Sequence, residues 1–222
     1  MSFIVAIDGP AGTGKGTIAK LVAKEFGFIN VDTGAMFRCV TLAMIRENIK
    51  IDEKDKIEKL LSKIQISLNE ENGEQVVYLN GENVTNQIRT KEINDFISEV
   101  SKIPEVRSKL LELQREIAKG QNVVMEGRDI GTTVFPNANV KIYLDASPEE
   151  RARRRVKQNE EKGIYSNYEE ILESVKRRDK IDSERELSAL KKAEDAILVD
   201  STNMQVDEVA QTVYAIIREK QS

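Results

Sequence analysis

Phe3-Ile4-Val5-Ala6-Ile7-Asp8-Gly9-Pro10-Ala11-Gly12-Thr13-Gly14-Lys15-Gly16-Thr17 opens as a short apolar, β-rich run and passes through a glycine-rich loop into an amphipathic pattern. Such a run bounded by turn residues predicts a buried strand, and the periodicity from Lys15 to Phe26 predicts a helix that closes on Gly27. Gly9, Gly12 and Gly14 permit backbone angles and close approaches that a side chain blocks, so successive N–H groups can point inward at an anion. The helix start directs its unsatisfied N–H groups and positive dipole end at the same place, and Lys15 adds a mobile full charge. Strand, loop, lysine and helix make a cradle for nucleotide phosphates with the spacing of a Walker A loop. One position deviates. Gly16 stands where most such loops carry the magnesium-linked Ser or Thr, and the hydroxyl follows one residue later at Thr17. A glycine-rich turn beside a surface lysine is the competing account, and the strand before with the helix after argues against it.

The chain has 222 residues, long enough for one sizeable core with an insertion, and a single nucleotide-binding domain is expected. Its net charge of −4 gives no global attraction to nucleic acid or an anionic membrane. There is no histidine, which excludes Ser-His-Asp and Cys-His catalysis and histidine-ligated zinc. Phosphoryl transfer suits that restriction, because its catalysis is mostly positioning and charge stabilisation by Lys, Arg and magnesium. Cys39, the single cysteine, allows no internal disulfide and reads as a small buried thiol in a helix. No apolar run approaches the length of a membrane span, and Met1-Ser2 leads straight into the first strand, so a soluble cytoplasmic protein is expected.

β-rich runs recur at Phe3–Ile7, Phe28–Val31, Val123–Met125, Val140–Leu144 and Ile197–Val199, each followed by a helical pattern or a long excursion. That alternation predicts a parallel sheet covered by helices. Asp32 reads as an N-cap, Ser147-Pro148-Glu149-Glu150 as a second helix start with a capping-box glutamate, and Val206–Arg218 as the last helix. Residues 32–122 are too long an excursion for a loop. Ile64–Leu68 and Val76–Leu79 predict strands, with turns at Glu71-Asn72-Gly73 and Asn80-Gly81, so a small antiparallel β insert is expected there. Two helices follow, Lys91 to Lys102 and Glu105 to Lys119.

Several charged residues then acquire context. Arg38 lies on the helix after the second strand and Arg128 follows the third, and open α/β sheets bind ligands at their strand carboxyl ends. Asp129 either orients Arg128, reaches a ligand or shapes the turn; Asp32 both caps its helix and is a candidate for a magnesium shell; Thr33 offers a hydroxyl that caps or reads a ligand edge. Arg178, Asp182 and Arg185 fall at i, i+4 and i+7, a stripe that by itself is equally a solvated ion-pair ladder. Arg151, Arg154 and Arg155 share a helix face, whereas Arg153 points elsewhere. Either they pair with Glu149, Glu150 and Glu160, or they converge on a bound polyphosphate that relieves their mutual repulsion.

GPAGTGKGT at 9–17, DTGAMFR at 32–38, the stretch from Ser98 to Arg107, EGRDIGTTVFP at 126–136, SPEERARRR at 147–155 and RRDKIDSER at 177–185 together resemble the bacterial-type cytidylate kinases, nucleoside monophosphate kinases that phosphorylate CMP and dCMP from ATP. The resemblance covers essentially the whole chain, and the GKGT ending is closer to this group than to GTPases. It implies an α/β P-loop kinase with a five-stranded parallel sheet flanked by helices, an acceptor-binding lobe containing the antiparallel insert, and a helical lid. Its parts would be a core of residues 1–33, 121–147 and 167–222, a lobe of 34–120 and a lid of 148–166. It implies ATP binding by Gly9, Pro10, Ala11, Gly12, Thr13, Gly14, Lys15, Gly16, Thr17 and Arg151, with Mg2+ near Thr17 and Asp32. It implies CMP contacts from Thr33, Arg38, Ser98, Arg107, Arg128, Asp129, Arg178, Asp182 and Arg185, with Ser98 and Arg107 at the cytosine edge. For those two the assignment rests on the resemblance, since by pattern alone they are helix filler and surface charge. Lys15, Arg128, Arg154 and Arg155 are the expected catalytic residues, with the return at Glu160-Glu161-Lys162-Gly163 letting the lid move. A monomer with only nucleotides as partners is expected. A P-loop kinase for dTMP or shikimate, or a nucleotide-dependent switch, remains as a rival. The guanine-reading Asn-Lys-x-Asp pattern of a GTP switch is missing from the sequence.

Overall fold

The computed structural model describes residues 2–71, 74–161, 163–185 and 187–221. In chain order the elements are β1 (Ile4–Asp8), α1 (Lys15–Phe26), β2 (Ile29–Asp32), α2 (Thr33–Arg46), α3 (Lys54–Leu61), β3 (Ile66–Glu71), β4 (Glu74–Leu79), β5 (Glu82–Asn83), α4 (Lys91–Val100), α5 (Pro104–Ile117), β6 (Val123–Gly127), β7 (Val140–Asp145), α6 (Pro148–Glu161), α7 (Tyr168–Glu184), β8 (Ile197–Asp200) and α8 (Val206–Gln221). They form two compact units, one from Met1–Val31 with Ala118–Ser222 and one from Asp32–Ile117.

In the first unit the five expected strands make one parallel sheet in the order β2-β6-β1-β7-β8. β1 is central, pairing with β6 through Ile4↔Val123 to Asp8↔Gly127 and with β7 through Val5↔Val140 to Asp8↔Tyr143. A central parallel strand is covered on both faces, which is why Val5, Ala6 and Ile7 are consecutive apolar residues and are all fully buried. Ile18 and Val22 of α1 and Val213 and Ile217 of α8 pack with Val5, Ile7, Val124 and Leu144 into the core. α1 ends as expected, with Gly27 left-handed at φ 67° and its N–H donating to Ala23 O. The register aligns Asp8 with Gly127 and Tyr143, so the segments after β1, β6 and β7 leave the sheet at one edge.

The second unit buries Met36, Cys39, Val40 and Met44 of α2 together with Ile93 and Ile97 of α4, Val106 and Leu110 of α5, and Val77 and Leu79 of β4. The Asp32 carboxylate caps α2 by accepting from the Ala35 N–H at 2.9 Å. β3, β4 and β5 form the antiparallel insert, and Asn80 and Gly81, at φ 51° and 83°, make the tight turn between β4 and β5. In the turn expected at 71–73, Asn72 and Gly73 lie outside the described residues, as does Lys162 of the return at 160–163. α3 is a helix the periodicity did not single out, because its buried face is only Ile57, Leu60 and Leu61 in an otherwise charged stretch. The Cys39 thiol is fully buried, and burial, followed by the Asp32 charge, pushes its pKa up to about 12.

Candidate active site

The loop after β1 is shaped by glycine where the backbone leaves no room. A Cβ on Gly9 would lie 2.0 Å from the Leu144 carbonyl oxygen of β7, and φ there is 149°. Gly16, the position without the usual hydroxyl, faces β6: a Cβ on it would lie 2.7 Å from Glu126 Oε1, so the carboxylate occupies the space a side chain would take. Glu126 was not singled out from the sequence, although it ends an apolar strand beside the loop.

Three carbonyls of the loop are each held by a cation. Lys15 Nζ donates to Pro10 O at 2.7 Å, Arg151 Nη1 to Ala11 O at 3.1 Å, and Arg154 Nη1 to Thr13 O at 3.3 Å. With these carbonyls engaged by side chains, the N–H groups of a glycine-rich loop are the part suited to an anion. Lys15 is 5% exposed, and its ammonium pKa is lowered, by burial first and then by Arg128, while Glu126 and Asp8 work the other way.

The three arginines of α6 do not share one role. Arg151 is 2% exposed and donates to both carboxylate oxygens of Asp179 on α7, at 2.9 and 2.5 Å, and through Nε to Ala146 O at 2.9 Å. It fastens α6 to α7 and to the loop instead of converging with its neighbours on open space. Arg154 donates to Glu150 Oε1 at 3.1 Å, the pairing left open by the sequence, and to Ser201 O at 2.6 Å. Glu150 holds Arg154 and Arg153 and so does not reach back as a capping box, although the Ser147 hydroxyl accepts from its N–H at 3.2 Å. Arg155 is exposed. Asp179→Ala would strand the buried Arg151 guanidinium, and a loss of about 3 kcal/mol of stability is expected, read from the urea midpoint. An unchanged midpoint would show that Arg151 does not depend on that carboxylate.

Asp182 is the hub of a second cluster in the same unit. Its carboxylate accepts from Arg128 Nε at 3.0 Å, pairs with Arg185, and lies 4.0 Å from Arg178 Nε. It is 6% exposed, so the 178/182/185 stripe is not a solvated ladder. Burial raises its carboxyl pKa, but Arg128, Arg185 and Arg178 together outweigh that and hold it below the ordinary value. Asp129, buried beside Arg128, precedes a π-helical turn over Ile130–Val134. The net positive charge of this cluster suits a phosphate monoester.

In the second unit Arg38 Nη2 donates to Asn94 Oδ1 at 3.1 Å, and a Cβ on Gly34 would lie 3.2 Å from Arg38 Nη1. The Arg107 guanidinium sits over the Phe37 ring, 5.5 Å from its centroid, and donates to Ser101 O at 3.1 Å. Ser98 is half-buried on α4, its carbonyl accepting from the Ser101 hydroxyl, and Thr33 is buried at the start of α2. Asn94 and Phe37 are partners the sequence did not reveal, since a contact between helices leaves no mark in either periodicity.

For magnesium the donors are hard oxygens. Thr17 is exposed on the first turn of α1, and Asp32 uses one carboxylate oxygen as a cap. Among the described residues no three acidic, histidine or cysteine side chains gather into a metal site. Thr17 and Asp32 are each by themselves the hard oxygen type that magnesium takes beside several waters and nucleotide phosphates.

Residues 5–219 match the family model for cytidylate kinase. The cytidylate kinase of Caldicellulosiruptor saccharolyticus is 49% identical over 209 residues, covering 94% of this chain and 92% of that protein. That of Caldanaerobacter subterraneus is 50% identical over 214 residues, covering 96% and 94%. That of Bacillus subtilis is 46% identical over 216 residues, covering 97% and 96%. A solved structure of an uncharacterised protein from Eubacterium ventriosum aligns over 99% of both chains with a TM-score of 0.54 at 12% identity, a likeness of fold. With a family match across nearly its whole length on top of a phosphate loop and a cluster of arginines, the chain belongs to the cytidylate kinase family.

Proposed function

We propose that this protein transfers the γ-phosphate of ATP to CMP or dCMP, giving ADP and CDP or dCDP. The observation that carries this is the family match over residues 5–219. An acceptor phosphate oxygen forms the new bond to the γ-phosphorus while the bond from that phosphorus to the β,γ-bridging oxygen breaks, and no covalent enzyme intermediate is needed. The backbone N–H groups of residues 11–17 and the Lys15 ammonium hold the donor phosphates. Thr17 and Asp32 would meet magnesium through oxygen and water, and the ion would supply neutralisation of donor-phosphate charge. Arg154 and Arg155 stabilise charge on the transferring group, and Arg151 acts on ATP through the loop it braces. Arg38 and Arg128 take the acceptor phosphate, with Asp129 beside Arg128, and Arg178, Asp182 and Arg185 take the acceptor sugar and base; Thr33, Ser98 and Arg107 complete the acceptor set, the last two at the cytosine edge. We read it as a monomer whose partners are nucleotides, and no described helix is long and apolar enough to cross a membrane.

The test is ADP release across a panel of acceptors. A site that hydrogen-bonds cytosine leaves buried polar groups unpaired with uracil, so UMP should fall behind CMP and dCMP in kcat/KM by on the order of a hundredfold or more. AMP and GMP should be poorer still on size. Better use of dTMP, AMP or shikimate than of CMP would overturn the cytidylate assignment and leave only a P-loop kinase.

A further inference from the structure

Asp8, at the carboxyl end of the central strand, is 5% exposed and takes no part in the reaction described above. Its two carboxylate oxygens accept separately from two consecutive backbone N–H groups: Oδ1 from Ile130 at 2.8 Å and Oδ2 from Gly131 at 2.7 Å. These N–H groups open the π-helical turn Ile130–Val134, where a helical start leaves donors without a partner in the turn itself. The turn begins directly after Arg128 and Asp129. The far end of the same segment is also held, because Lys141 Nζ donates to Pro136 O at 2.5 Å and to both oxygens of Asp195 at 2.8 Å. Space at the clamp is tight: a Cβ on Gly131 would lie 3.3 Å from Asp8 Oδ2 and 3.1 Å from Lys141 Cδ.

A buried carboxylate is costly, and the two N–H bonds offset only part of that cost. Only the ionised form accepts fully with both oxygens; a carboxylic acid or an amide has one acceptor and presents a donor on the other side. We propose that Asp8 is a positioning residue for the acceptor site: by pinning Ile130 and Gly131 it sets the backbone that aims Arg128 and Asp129, so that the charge state of Asp8 governs affinity for the acceptor nucleotide. This rests on the reading of Arg128 as an acceptor residue. The groups facing Asp8 are Lys15, Asp129 and Tyr143, with the Lys141 stem across Gly131. Burial raises its pKa to about 6, against the pull of the Gly131 and Ile130 N–H groups, with Asp129 adding to the rise and Lys15 opposing it. The clamp therefore loosens between pH 7 and 5.

The test compares wild type with Asp8→Asn, which mimics the protonated form, from pH 5 to 8. At pH 8 the variant should show a CMP KM about tenfold higher, with the ATP KM changed less than twofold. The CMP phosphate itself titrates near pH 6, but it does so for both enzymes and cancels in their ratio. The wild-type advantage in kcat/KM for CMP should therefore shrink toward one as pH falls to 5. Gly131→Ala, which keeps the carboxylate and pushes the turn away from it, should raise the CMP KM selectively as well, and it tests the clamp if Asp8→Asn does not fold. A ratio constant with pH, equal rises in both KM values, or an unchanged CMP KM in Gly131→Ala would overturn the proposal. An Arg128→Ala enzyme with wild-type CMP KM would instead overturn the acceptor reading beneath it.

Discussion

Lys15→Met should lower kcat by on the order of a thousandfold, the scale at which a single preorganised electrostatic group acts on a transition state, and at the same time make the nucleotide-free protein more stable. The first effect follows from position: Lys15 is the full charge of the phosphate loop, and methionine keeps its length without the ammonium. The second follows from the depressed pKa, which means that the fold disfavours the charged form of Lys15 and carries that cost at neutral pH in exchange for function. The lost hydrogen bond to Pro10 O is partly covered, because the Thr13 hydroxyl also donates to that carbonyl at 3.2 Å. The sign with pH is definite. The unfolded chain binds a proton at Lys15 more tightly than the folded one, so the wild type gains stability from this group as pH rises from the lowered folded value toward the ordinary lysine value. Lys15→Met should lack that gain. Thermal melts across that pH range read it, at about 2–4 °C of Tm per kcal/mol for a chain of this size. A variant that melts below wild type at neutral pH, or that keeps a tenth of kcat, would contradict this role.

Asp182→Ala should be the opposite case, in which function and stability fall together. Removing the carboxylate leaves Arg128 and the nearly buried Arg185 without their shared partner, and stripping one side from a buried ion cluster costs about 3–5 kcal/mol. The CMP KM should rise on the order of a hundredfold, with the ATP KM within a few fold of wild type, because the phosphate loop is held by other residues. Since the folded-state carboxyl pKa is depressed, this stabilisation is present above the ordinary aspartate value and is lost as pH falls through the lower folded value. Urea unfolding at neutral pH together with initial rates at varied CMP measures both. Wild-type stability with weakened CMP use would mean that Asp182 serves the ligand alone.

Much of the fold was legible because it rests on local chemistry. The loop glycines, the Gly27 stop, the Asp32 cap, the Asn80-Gly81 turn and the five apolar runs each state a backbone requirement within a few residues, and each is met. The site was legible only where motif spacing carried it. Periodicity placed Arg151, Arg154 and Arg155 on one face, but it does not report depth, and depth separates the buried Arg151, locked to Asp179, from the exposed Arg155. The Arg128 to Asp182 bond joins residues 54 positions apart and the Asp8 clamp reaches across 122. Pairs at such separations depend on sheet order and register, which alternating patterns do not contain. The π-helical turn was likewise hidden, since Ile130–Val134 has no repeat long enough to show one.

The burial of Cys39 has a practical side. With its thiol pKa near 12, the thiolate is roughly a thousandfold scarcer than that of a free cysteine at neutral pH, and reagents have no route to it in the folded state. The natural chain is therefore already a silent background for maleimide chemistry. Lys20→Cys on α1 or Glu58→Cys on α3, each at an exposed position, would take a single maleimide label without any further substitution.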